Sequence, residues 1–186
     1  MVTNLYMPFY FRPWIISTML NETDIADQLI GGIDRIFHFM PKRFRLWFPK
    51  KIASLMLHMM DSTDPIPVYR DSPRGLLKTI QLTVDAIECE DNILLFPENP
   101  TAKGETGRYL EKGVSVFHTG FCTIAEQYYK RTQKCITFYP MYADKKKRTL
   151  SFGAGTKYNP QSAKSMEKQR IVTYLYNWMS KQGEKE

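Results

Sequence analysis

The chain has 186 residues, 43% hydrophobic and 24% charged, enough to bury the core of one domain and too apolar to remain disordered. Its 26 Lys and Arg against 19 Asp and Glu give a formal charge of +7, which favours partners bearing negative charge: phosphates, nucleic acid or an anionic membrane. Cys89, Cys122 and Cys135 are odd in number and lack paired spacing, which argues against a disulfide framework or a zinc site and for a reducing, cytoplasmic compartment.

The N-terminal residues carry no signal-peptide pattern. No apolar run approaches the ~18 residues of a membrane-spanning helix, so membrane attachment is expected to be peripheral. Val2–Met7 and Trp14–Thr18 read as short strands or buried edges, separated by Pro8 and Pro13. Ile25, Leu29, Ile33 and Ile36 share one helical face within residues 21–39, although Gly31-Gly32 weakens it. Residues 41–60 interleave Lys42, Arg43, Arg45, Lys50 and Lys51 with Phe44, Trp47 and Phe48, and a helix is expected from Pro49 to about Met60. Such a segment suits an anionic membrane face, or a core whose bases simply meet water. Basic and aromatic residues also serve nucleic-acid binding, but no nucleic-acid motif accompanies them.

Ile66–Arg70 reads as a strand. Ser72-Pro73 then forms a cap and first-turn pair opening a helix with Leu77, Ile80, Val84 and Ile87 as its apolar stripe. Asn92–Phe96 is a buried strand, and residues 99–109 a polar loop. A helix is expected over 113–131, a strand over 135–139, a basic turn over 144–148 and a returning strand over 149–153. Residues 162–181 form an amphipathic terminal helix. Alternating strands and helices predict an α/β fold with a mixed, mainly parallel sheet flanked by helices, in one domain over 1–186.

Arg70 and Glu98 stand at the carboxyl ends of two of these strands, where open α/β sheets bind ligands. The guanidinium of Arg70 suits a phosphate or carboxylate, or an ion pair with Asp71 or Asp64. Glu98 can accept hydrogen bonds from hydroxyls, or serve as a solvated loop acid or cap partner.

Four segments in order carry a resemblance. Ile66-Pro67-Val68-Tyr69-Arg70, Phe96-Pro97-Glu98-Asn99, Phe117-His118-Thr119-Gly120-Phe121 and Ile136-Thr137-Phe138-Tyr139-Pro140 resemble successive blocks of the glycerol-3-phosphate and 1-acylglycerol-3-phosphate acyltransferase superfamily, over residues 66–140. The resemblance implies acyl transfer from acyl-CoA or acyl carrier protein, as co-substrate, to a glycerophospholipid acceptor. It implies a peripheral position on the inner face of the membrane, with no further cofactor, no metal and no nucleic-acid partner. Arg70 would contact the acceptor phosphate. Glu98 would orient the glycerol, with Pro97 and Asn99 beside it, and Lys103 or Arg108 would add positive charge.

The family's first block pairs a general-base histidine with an acid four or five residues on. His38, His58 and His118 are each without an acid at either spacing. His38 and His58 suit a core or interfacial position, and His118 a helix surface. Val2-Thr3-Asn4-Leu5-Tyr6 resembles the segment that follows the first block, so the expectation is an N-terminally truncated domain whose catalytic base is unassigned. Asn99 stands where the family has glycine, which makes a close backbone approach to ligand harder there.

Overall fold

A computed structural model describes residues 9–21, 23, 53–55, 57–69, 72–99, 114–144 and 147–183. The expected elements over 2–7 and 21–39, and most of the basic–aromatic segment 41–60, lie outside these residues. The fold is mixed α/β. The described residues divide into two compact units, one within Pro8–Leu95 and one within Phe96–Glu186.

The first unit is built on three parallel strands: β1 (Arg12–Ile16), β2 (Ile66–Val68) and β3 (Ile93–Leu94). β1 is central, giving the order β2-β1-β3. Trp14 pairs with Ile66 and Ile16 with Val68 on one side; Arg12 pairs with Ile93 and Pro13 with Leu94 on the other. The strands at 66 and 92 therefore share a direction but are not neighbours. Arg12 ties the sheet to its turns. Its backbone N–H donates to Asn92 O at 2.8 Å, and its guanidinium reaches Asp64 and Asp91. Residues 53–55 and 57–61 are helical, as expected after Pro49.

Helix α1 (Pro73–Glu88) starts where the sequence places it, with Ser72 Oγ accepting the Gly75 N–H at 3.0 Å and Pro73 in the first turn. Its buried face differs from the expected stripe. Ile80 and Val84 are buried, but Leu77 is 56% exposed, and Thr79 and Thr83 are fully buried. The threonines can occupy the core because each hydroxyl is satisfied twice. Thr79 Oγ1 donates to Pro67 O at 2.9 Å and accepts from Tyr69 N at 3.1 Å. Thr83 Oγ1 donates to Thr79 O at 2.7 Å and accepts from Trp14 Nε1 at 2.9 Å. The helix is thus fastened to β2 and β1 by hydroxyls. It ends with Glu90 in the left-handed region (φ 65°), Asp91 N–H donating to Ala86 O and Glu90 N–H to Ile87 O.

In the second unit, helix α2 (Thr123–Thr132) follows a short 3₁₀ turn, Gly120–Cys122. The expected helix over 113–131 is therefore corrected. Residues 114–118 are non-helical, and Phe117 forms a β-bridge with Glu98. Val114 and Val116 favour extended backbone, and Gly120 marks the change of conformation. The expected pairing of 135–139 with 149–153 is also corrected. β4 (Thr137–Phe138) pairs antiparallel with β7 (Thr156–Lys157), while β5 (Met141–Asp144) and β6 (Thr149–Phe152) form the hairpin. Pro140, which has no N–H to donate, separates β4 from β5.

Helix α3 (Lys164–Gly183) buries Glu167, Ile171 and Leu175 at four-residue steps. Its Tyr176 meets Phe117 edge-on at 5.6 Å, and Phe121 meets Phe138 at 5.7 Å. Glu167, 1% exposed, accepts from Asn159 N–H at 2.8 Å and from Arg170 through both carboxylate oxygens. Arg170 also donates to Thr156 Oγ1 and Lys157 O, so the ion pair joins α3 to β7.

Candidate functional site

Pro97-Glu98-Asn99 lies beyond the end of β3, and its geometry is set by a second extended segment rather than by that strand. Asn99 N–H donates to Val116 O at 2.7 Å, and His118 N–H donates to Pro97 O at 2.8 Å. These bonds flank the Glu98–Phe117 pair, so Glu98 and Phe117 stand directly opposite with side chains on one face. Phe117 is buried against Tyr176, and Glu98 beside it is half-buried. Pro97, Asn99, Val116 and His118 fall on the other face, where Val116 and His118 are exposed. This pairing places a carboxylate at the border of an aromatic core, with an imidazole-bearing residue across the strand from Pro97.

His118 is thus an exposed residue of an extended segment, where a helix surface was expected. The valines at 114 and 116 and the glycine at 120 were the available signal. His58 is also exposed. Its Nδ1 lies 3.1 Å from Ser54 O, one turn back on its own helix, so it is not a core histidine.

Arg70 and Lys103 lie outside the described residues, as do His38 and Arg108. The backbone leading to Arg70 is described: Tyr69 N–H is held by Thr79 Oγ1, and the Lys78 ammonium sits 5.3 Å from the Tyr69 ring centre. Lys78, one helical turn into α1, is a cation at that strand end that sequence reading did not single out.

Cys122 offers no activated thiol. Cys122 is buried, and burial is the main cause pushing its pKa up to about 12, so it stays protonated at neutral pH. Cys89 and Cys135 are unpaired as disulfides. Among the described residues no group of His, Cys, Asp and Glu could hold a metal ion, and no helix is long and apolar enough to cross a membrane. An open groove of about 620 Å³ runs along α3 past Met166, Arg170 and Tyr174; none of Pro97, Glu98 or Asn99 lines it.

Comparison of the chain with protein-family models, with curated proteins and with solved structures returned no match.

Proposed function

We propose that this chain is an acyltransferase-type domain that moves a fatty acyl group from an acyl thioester to the free hydroxyl of a lysophospholipid-type acceptor at a membrane surface. The observation that carries the reading is the Glu98–Phe117 pairing. Two of the four segments that resemble acyltransferase blocks, separated in sequence, lie side by side through two backbone hydrogen bonds.

In this reading Arg70 holds the acceptor phosphate as a bidentate donor. Glu98 accepts from a glycerol hydroxyl, Pro97 and Asn99 fix the backbone around it, and Lys103 adds positive charge. The acceptor oxygen attacks the thioester carbonyl carbon, the carbon–sulfur bond breaks, and the thiol leaves with the proton taken from the hydroxyl. The donor is acyl-CoA or acyl carrier protein, and no base is assigned.

A second reading is a catalytically inactive relative that binds lipid. It is favoured by the absence, in this sequence, of any histidine followed by an acid at four or five residues. A transfer assay with labelled acyl-CoA and lysophosphatidic acid separates the two. Turnover that drops on the order of a hundredfold in Arg70→Ala and in Glu98→Ala is expected of the enzyme. Acceptor binding without turnover, lost in the same variants, favours the inactive relative. Neither binding nor turnover overturns both.

A further inference from the structure

The β5–β6 hairpin has an apolar side where a polar one is expected. Its register pairs Met141 with Phe152 and Ala143 with Leu150 on one face, and Tyr142 with Ser151 and Asp144 with Thr149 on the other. The second face is turned toward α3. A β-carbon added at Gly153 would lie 2.6 Å from Trp178 and 2.7 Å from Pro140, so the indole and the buried proline fill that side. Asp144 on the same face is buried. The first face is therefore the outer one.

Among the described residues of β5 and β6, none on that outer face is charged. Phe152 is 48% exposed, Ala143 is exposed, and Met141 and Leu150 are half-buried. Tyr139, which continues the alternation, lies beside Gly155 and is 65% exposed. A solvent-facing strand surface ordinarily alternates to polar residues. The connection between the two strands has the opposite character: Lys145-Lys146-Lys147-Arg148, four consecutive bases. Asp144 offsets one of them through Lys147, at 3.0 Å.

We propose that this hairpin is a membrane-contact element that seats its outer face in the headgroup layer of an anionic bilayer. Tyr139 and Phe152, the more exposed side chains, enter the headgroup layer first with Met141 and Leu150 behind them, and the bases of the turn meet anionic lipid. A bilayer surface supplies hydrocarbon and negative charge within one layer. A nucleic acid would match the bases and leave the aliphatic side chains unmatched, and an uncharged apolar partner would do the reverse. The inference deepens the lipid-acceptor reading by supplying a surface through which the domain reaches its substrate. Because binding is measured without turnover, the two fail separately.

The test is co-sedimentation of the full chain with vesicles of phosphatidylcholine alone and of phosphatidylcholine with phosphatidylglycerol, at low salt. Binding is expected to the anionic vesicles and to weaken as salt is added. Each base near the surface contributes about fivefold, so Lys145→Glu/Lys146→Glu should lose at least about thirtyfold. Tyr139→Ser/Phe152→Ser should lose about tenfold, with an unchanged circular dichroism spectrum showing that the chain is still folded. Equal binding to neutral vesicles, or binding indifferent to both hairpin variants, overturns the proposal. So does loss confined to Lys50→Glu/Lys51→Glu, which would move the contact to the earlier basic–aromatic segment. A dimer in sedimentation velocity that Phe152→Ser dissolves, without vesicle binding, would make the face a self-association surface instead.

Discussion

The two units fasten a helix to strand backbone by different chemistry. In the first, neutral hydroxyls do it: Thr79 and Thr83 bridge α1 to Pro67, Tyr69 and Trp14. In the second, a buried carboxylate and a half-exposed guanidinium do it: Glu167 and Arg170 bridge α3 to Asn159, Thr156 and Lys157. The hydroxyl junction does not titrate. The ionic one does, because Arg170 and then Asn159 hold the Glu167 carboxyl below its ordinary range against the opposing effect of burial. Polar groups in a core are tolerated when satisfied, but only the charged kind makes the fold sensitive to acid.

The largest effect should come from breaking the ionic junction. Glu167→Ala removes acceptors for three N–H groups, and we expect a loss of about 3 kcal/mol in urea unfolding. A loss under ~1 kcal/mol would mean that the junction is ornamental. The same residue sets an acid limit. Its folded-state pKa is depressed, so its stabilisation is fully present above the unfolded carboxylate value of about 4.3 and fades as pH falls through the lower folded value. Urea midpoints measured across that window should fall in the wild type and be flatter in Glu167→Gln; parallel curves would assign the acid sensitivity elsewhere.

Breaking the hydroxyl junction should cost somewhat less. Thr79→Val keeps the shape but strands Pro67 O and Tyr69 N–H, at about 2 kcal/mol, with no change in pH dependence. A pH-dependent loss would erase the contrast between the two junctions. The smallest change is a gain. Glu90 occupies the left-handed position that ends α1, and Glu90→Gly should stabilise by about 0.5–1 kcal/mol, read as a higher urea midpoint.

Much of the local structure was legible because its signals are local. Ser72-Pro73 opens α1 as read, and the terminal helix, expected over 162–181, runs from Lys164 to Gly183. The strands at 66 and 92 are present but shorter than expected. What escaped depends on partners distant in sequence. Nothing near Thr79 announces that Pro67 and Tyr69 will occupy its hydroxyl, so the apolar Leu77 took its place in the expected stripe. Phe117, in the segment 114–118, stands at a helical spacing from Phe121 beyond it, and the segment's extended form becomes clear only once Glu98 lies across from it. For the same reason Glu98 was attached to the strand before it rather than to Phe117. The central position of β1 was equally hidden, since no pattern within Arg12–Ile16 says which strands will flank it.

That central position has a consequence for how the chain acquires its fold. β1 precedes both of the strands that flank it, and each of them joins it at long range. During synthesis Arg12–Ile16 emerges long before either neighbour, and its backbone amides must stay with water or a chaperone until Ile66 and then Ile93 arrive. Such non-local parallel pairing slows folding and leaves an unpaired nascent strand on the ribosome, so Arg12–Ile16 is a segment at which premature aggregation during translation can begin.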